Sequence, residues 1–219
     1  MKFHWLTELP QLLILGGMFV AAWLLWDRVP EQVPVHWNAS GEADRFGGRF
    51  EGLVLVPLIG VGVYFVMLLA PLIDRKNTSM AGFQRMYGII RLAVIVFLAV
   101  VYAASIRAFW SESHRLGPLF SLGLAGLFLV IGGCMRAIPP NPYAGVRTPW
   151  TLKSDYTWRK THELAGWVFM GIGVCAGFCV WIDEAWVIYT TIGLSLLSLV
   201  IVVLGSYLFW LQAPDRPAT

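Results

Sequence analysis

Six uninterrupted apolar runs, each close to the length of a bilayer crossing, constrain this chain more than any other feature. They are Leu9 to Trp26, Leu53 to Ile73, Ile89 to Phe109, Leu119 to Met135, Leu164 to Ile182 and Ala185 to Leu211. About 20 apolar residues cross a hydrocarbon core of roughly 30 Å. In lipid, backbone groups must pair inside their own helix or around a closed barrel. The runs are continuous rather than alternating, so helices are expected and barrel strands are excluded. The expected fold is an all-α integral membrane protein with six transmembrane helices, one structured outer loop and one structured inner loop. Composition agrees, since 58% of the residues are hydrophobic and 13% charged, against about 25% charged in soluble domains. The first run reads as a retained helix, because only Lys2 precedes it as a basic leader and Ala21-Ala22-Trp23 is a poor cleavage site.

Lysine and arginine in the connections set the orientation. Lys2, Arg75, Lys76, Arg85, Arg136, Arg147, Lys153, Arg159, Lys160 and Arg216 fall on one side, against Arg28, Arg45, Arg49 and Arg115 on the other. Both termini are therefore expected in the cytoplasm. Trp23, Trp26, Trp110, Trp181 and Trp186 form an outer aromatic belt, with Trp5, Trp167 and Trp210 on the inner side. Arg91 and Arg107 lie within the third run, about 24 Å apart along a helix. They read as two anchors snorkelling to opposite interfaces, and no buried acidic partner is expected in the runs. Gly173 and Gly177 form a GxxxG pair suited to close helix approach, and Gly16-Gly17, Gly60, Gly62, Gly123, Gly126 and Gly132-Gly133 are expected to pack similarly. Cys134, Cys175 and Cys179 read as small apolar residues in helix interfaces. A net charge of +3 marks no nucleic-acid-binding face.

The outer loop, Asp27 to Gly52, is long for a link between neighbouring helices. Pro30 and Pro34 stiffen it, Asn38 to Gly41 is turn chemistry, and Trp37 suits the headgroup level. His36, Glu42 and Asp44 have the chemistry of metal ligands or proton carriers. Their spacing fits no ligand rule, so a structural cap over the helix ends is preferred and no metal or cofactor is assigned.

The inner loop, Arg136 to Glu163, begins with Ile138-Pro139-Pro140-Asn141-Pro142-Tyr143, which cannot continue a helix. Ser154 suits a helix N-cap and Asp155 the first turn, so Tyr156 to Glu163 should run as a helix into the fifth span. On it Trp158 and His162 share a face, with Arg159 and Lys160 alongside. Two readings stay open. One is an interfacial elbow anchored by Trp150 and Trp158, with basic residues touching anionic lipid. The other is a binding site in which Asn141, Arg147 and His162 supply hydrogen bonds. Arg147, bounded by Gly145 and Pro149, is expected to make planar, directed hydrogen bonds.

The segment Pro34-x-His36-Trp37-Asn38-x-x-Gly41-x-x-Asp44-Arg45 resembles the signature of a small membrane domain of unknown function found at the front of SdpI-type proteins. Asn141-x-x-x-Gly145-x-Arg147-Thr148-Pro149-Trp150-Thr151-Leu152, followed by Trp158-Arg159-Lys160-Thr161-His162-x-x-x-Gly166, resembles the signature of the SdpI domain itself. The resemblance implies a bacterial inner-membrane protein that confers immunity to a secreted, membrane-active peptide toxin. It also implies a signalling role in which a small repressor is held at the cytoplasmic face. The chain then divides into an N-terminal membrane region, 1–110, and a C-terminal SdpI-like region, 111–219. The residues carried over as candidates for ligand or partner binding are His36, Trp37, Asn38, Gly41, Asp44 and Arg45 outside, and Asn141, Gly145, Arg147, Thr148, Trp150, Trp158 and His162 inside.

No HExxH, no GxSxG and no paired intramembrane aspartates occur, so no catalytic residue is assigned. Two other classes are kept beside the non-enzymatic immunity and signalling reading: a small transporter or channel, and a membrane-embedded hydrolase. The partners expected are the lipid bilayer, the peptide outside and the repressor inside, with no direct nucleic-acid contact; a homo-oligomer is left open.

Overall fold

The computed structural model describes residues 5–72, 80–141, 144–182 and 184–216. Helix α1 (Trp5–Leu25) leads into a β-hairpin of β1 (Gln32–Trp37) and β2 (Ala43–Gly48). Then follow α2 (Arg49–Leu53), α3 (Leu55–Leu69), α4 (Met80–Phe109), α5 (Pro118–Met135), α6 (Asp155–Cys179) and α7 (Glu184–Leu211). Short 3-10 turns occupy Ala70–Leu72 and Thr151–Lys153. Helices α1, α4, α5, α6 and α7 are long and apolar enough to cross a membrane, and α3 is a shorter apolar helix. The protein is a mostly helical, multi-pass membrane protein.

Two departures from the expected elements have local causes. The second apolar run is interrupted at Val54 instead of forming one helix, and its end at Ile73 lies outside the described residues. Pro57 has no amide donor, and its ring opposes the carbonyl four residues earlier, at Leu53. The chain stays in helical register across the break, since Val54 N bonds to Phe50 O at 2.9 Å and Leu58 N to Val54 O at 3.0 Å. The outer loop, expected as a structured cap over the helix ends, is an antiparallel hairpin, a small β element in a fold expected to be all-α. Val33, fully buried, and half-buried Val35 give one strand face an apolar lining. The register shifts around His36, between Pro34 and Trp37, where the strand is irregular.

The hairpin sits on a core of Ala22 from α1, Val29, Val33, Leu53 from α2 and Phe109 from α4. Deeper in this half, Leu15 and Met18 of α1 pack on Tyr64 of α3 and on Ile95 and Tyr102 of α4. In the other half, α5 and α6 meet backbone to backbone. A Cβ on Gly132 would lie 2.7 Å from Gly166 O, and one on Gly173 would lie 2.8 Å from Ala125 O. Gly60 and Gly123 also face close neighbours, Leu15 and Val100. Gly177 makes only ordinary contact, and Gly16, Gly17, Gly62, Gly126 and Gly133 meet nothing within 4 Å, so the packing role expected of them is not seen. Cys134 and Cys179 are buried, Cys175 is exposed, and all three are free thiols.

Of the tryptophans expected in the two aromatic belts, Trp210 is half-buried and the others are exposed. Trp23, Trp26, Trp110, Trp181 and Trp186 are exposed towards the hairpin side, and Trp5 and Trp167 towards the opposite side. Arg107 ends α4 on the hairpin side and donates to the carbonyls of Arg115 and Leu116 at 3.3 and 3.1 Å.

Candidate functional site

The hairpin-side signature builds the hairpin and fastens it. Asn38 closes the turn, its Oδ1 accepting from the amides of Ser40 and Glu42 at 2.9 and 3.1 Å, while Gly41 N bonds Asn38 O at 3.0 Å. Gly41 has φ of +73°, a conformation that glycine adopts without steric penalty. Trp37 Nε1 donates to His114 O at 2.7 Å, so this ring is committed to the α4–α5 connection rather than to the headgroups. Phe46 meets the His114 ring edge-on at 5.6 Å, and Arg115 donates to Glu42 at 2.7 Å. Arg45 pairs with Glu51 at 2.6 Å, back onto α2.

His36 and Asp44 do come together, Nδ1 to Oδ1 at 2.5 Å, with both side chains largely in solvent. Glu42 turns away to Arg115, so His36, Glu42 and Asp44, which have ligand chemistry, do not converge. Among the described residues, no group of three or more His, Cys, Asp or Glu is arranged to hold a metal. Exposed pairs of this kind contribute about 0–1 kcal/mol each. The firm attachment comes from the apolar floor and the Trp37 bond.

The opposite-side signature ties three helix ends into one plate. Asn141 holds its own turn, donating to Pro139 O at 2.8 Å and Ala144 O at 3.2 Å and accepting from Ala144 N at 2.8 Å. Thr148 and Thr151 brace each other, and Thr151 Oγ1 donates to Val146 O at 2.9 Å. Trp150 crosses to α7, where its Nε1 donates to Ser206 Oγ at 2.5 Å and its ring meets Tyr207 edge-on at 5.3 Å. Ser154 caps α6 as expected, accepting from Thr157 N at 3.0 Å. Its hydroxyl also donates to Asp215 Oδ1 at 2.6 Å, and Tyr156 N donates to Asp215 Oδ2 at 3.2 Å. The Ser154 bond, ahead of the Tyr156 amide, holds the Asp215 carboxyl below its ordinary pKa.

Trp158 and His162 share a face of α6 and stack at 4.1 Å. Trp158 is fully buried, with Nε1 donating to Ile138 O at 2.9 Å, so it is a core residue and not the lipid anchor of the interfacial-elbow reading. His162 accepts the Val146 amide at Nε2, 3.1 Å, which obliges Nδ1 to carry the proton it donates to Trp158 O at 2.8 Å. Both ring nitrogens are thereby engaged and the ring is neutral. Gly145 admits the contact, since a Cβ there would stand 2.1 Å from His162 Nε2 and the residue has φ of +114°. Arg147 departs from expectation. It is exposed and makes no directed hydrogen bond with the described residues, so Asn141, Arg147 and His162 do not form one constellation.

A third polar site was not anticipated. Arg91 is not an interface anchor: it is 1% exposed and donates both terminal nitrogens to Glu8, at 2.7 and 2.8 Å. Glu8 is itself 3% exposed and also accepts from Tyr64 OH at 2.8 Å, while the Arg91 guanidinium lies 5.2 Å from the Tyr64 ring centre. An acidic residue is thus buried in α1, one position before the run that appeared to lack any. The pair joins α1, α3 and α4 inside the bundle. Both carboxylate oxygens are taken by direct bonds, which makes this a fastening rather than an open ion site.

Residues 137–209 match the SdpI/YfhL protein family, and residues 13–61 match a domain of unknown function, DUF1648. The chain is 26% identical over 196 residues to the immunity protein SdpI of Bacillus subtilis, covering 88% of this chain and 90% of that protein. It is 37% identical over 49 residues to an uncharacterized protein of Archaeoglobus fulgidus, across 22% of this chain and 27% of the other. No solved structure matches the chain.

Proposed function

We propose that this chain, whose residues 137–209 match the SdpI/YfhL protein family, is a non-enzymatic immunity protein of that family that protects a bacterial inner membrane against a membrane-active peptide. The observation that carries this reading is the similarity to an immunity protein along nearly the whole of both chains. The hairpin, with His36 and Asp44 on its exposed face, meets a peptide arriving from outside. The exposed basic residues Arg147, Lys153, Arg159 and Lys160 present a cytoplasmic docking surface for a small repressor. Engagement of both His162 nitrogens supports a structural role for that residue rather than general-base chemistry.

In this reading α2 and α3 together make a sixth crossing, since residues 49–69 span about 30 Å at the helical rise. Both termini then lie in the cytoplasm, with regions 1–110 and 111–219 as two membrane units. The lysine and arginine asymmetry supports that orientation. Single cysteines at Ala39 and Lys153, in a background lacking the native three, should react with an impermeant reagent from opposite sides. Labelling of Lys153→Cys from outside intact cells overturns the topology.

Expression in a sensitive bacterium should protect it from such a peptide. His36→Ala and Asp44→Ala should weaken protection at unchanged membrane levels. Full protection by both variants would remove the hairpin from the recognition step. Intramembrane charge often marks a substrate path, so the buried Glu8–Arg91 pair, although closed by direct bonds, is what keeps a transporter as a second reading. That reading requires solute flux in sealed vesicles.

A further inference from the structure

Arg136 and Trp167 form an arrangement that the family signature and the loop architecture leave without a role. Arg136 follows the last residue of α5 and is exposed, while its stem runs across α6. It can do so because residue 166 is glycine: a Cβ there would meet Arg136 Cγ at 2.4 Å and Cδ at 3.0 Å. The guanidinium then lies over the Trp167 ring, 4.3 Å from its centre. Trp167 is 54% exposed and belongs to the aromatic belt on the side opposite the hairpin.

Stacking uses only the flat face of a guanidinium and leaves its edge donors directed outwards. Among the described residues no carboxylate lies within ion-pair distance of Arg136, whereas Lys160 is paired with Glu163 at 3.4 Å. A cation held by an aromatic ring at belt depth, with no counterion from the protein, draws one from the surroundings. At that depth the abundant anion is the lipid phosphate. A planar fork matches two phosphate oxygens, which an ammonium cannot do.

We propose that Arg136, laid across Gly166 onto Trp167, binds the phosphate of an anionic phospholipid headgroup. The full chain, purified in a neutral detergent, is titrated with phosphatidylglycerol, with phosphatidylcholine of the same acyl chains, and with inorganic phosphate. Binding is read by native mass spectrometry and by the unfolding midpoint. Phosphatidylglycerol should bind and raise the midpoint, and the other two should not. Arg136→Gln should weaken phosphatidylglycerol binding about fivefold, the effect of one well-placed basic residue at a membrane surface. Trp167→Leu, a change on an exposed face, should weaken it as well and serves if Arg136→Gln folds poorly. Arg85→Gln removes the same charge from an exposed position elsewhere and should change nothing. Equal loss on Arg85→Gln would show diffuse charge attraction and overturn the site. Wild-type affinity in either pair variant also overturns it, and an equal response to inorganic phosphate removes the lipid from the proposal.

Discussion

Single residues set the geometry of the plate opposite the hairpin, and two of them can be tested without knowing any ligand. Gly145 sits at φ of +114° with His162 Nε2 where a side chain would begin. Gly145→Ala should destabilise the protein by about 1–3 kcal/mol from the backbone conformation alone, with further loss as the Val146–His162 bond is displaced. Thermal unfolding in detergent measures this, and an unchanged midpoint contradicts the assignment. Asp215 gives a pH dependence with a definite sign. Its carboxyl is held below the ordinary value by the Ser154 hydroxyl, so its contribution is fully present above the unfolded-state pKa. That contribution is lost as pH falls through the lower folded-state pKa. Protection of the Tyr156 and Thr157 amides, taken relative to their intrinsic exchange rates, should fall over that acidic range. Asp215→Asn should remove the pH step; a step that persists assigns it to another group. Ser154 was legible because capping is a local pattern, three residues long. Its partner Asp215 was not, since nothing in sequence links positions 61 residues apart.

At the scale of elements, the same contrast explains what the apolar runs hid. Hydropathy weighs residues along one helix, so Arg91 looked like a cation needing an interface. The residue that satisfies it, Glu8, lies 83 positions away on α1. The hairpin was obscured differently. Its strands are short, carry Pro34 and a register shift, and stand between helices, so alternation over Val33 and Val35 was too brief to outweigh the loop signals. The Glu8–Arg91 pair makes a prediction for how α1 is held. Removing one partner of a buried pair leaves an uncompensated charge and costs about 3 kcal/mol or more, whereas apolar replacement of both is close to neutral. Arg91→Leu should therefore lower the unfolding midpoint strongly, and Glu8→Leu with Arg91→Leu should recover most of the loss. A double variant as unstable as the single one would show that the charges themselves are required, and would strengthen the transporter reading.

For the molecule as a whole, fold class and family were readable because both are written in long or repeated features. Those are the apolar runs, the tryptophan belts and two motifs in order. Site geometry was less accessible, since most signature residues bond to other parts of the protein that the motifs do not mark. Asn38, Trp37, Asn141, Trp150, Trp158 and His162 spend their polar atoms on building two rigid caps, one at each end of the bundle. Under the immunity function proposed above, the peptide is left chemically unaltered and protection arises from binding at the bilayer rather than from turnover. The most direct measurement exposes a sensitive bacterium expressing the chain to the membrane-active peptide, then recovers the peptide from medium and membranes for mass spectrometry. Survival with every recovered molecule at its original mass is the expected result. Survival with cleaved or modified peptide, or death despite normal membrane levels of the protein, contradicts it.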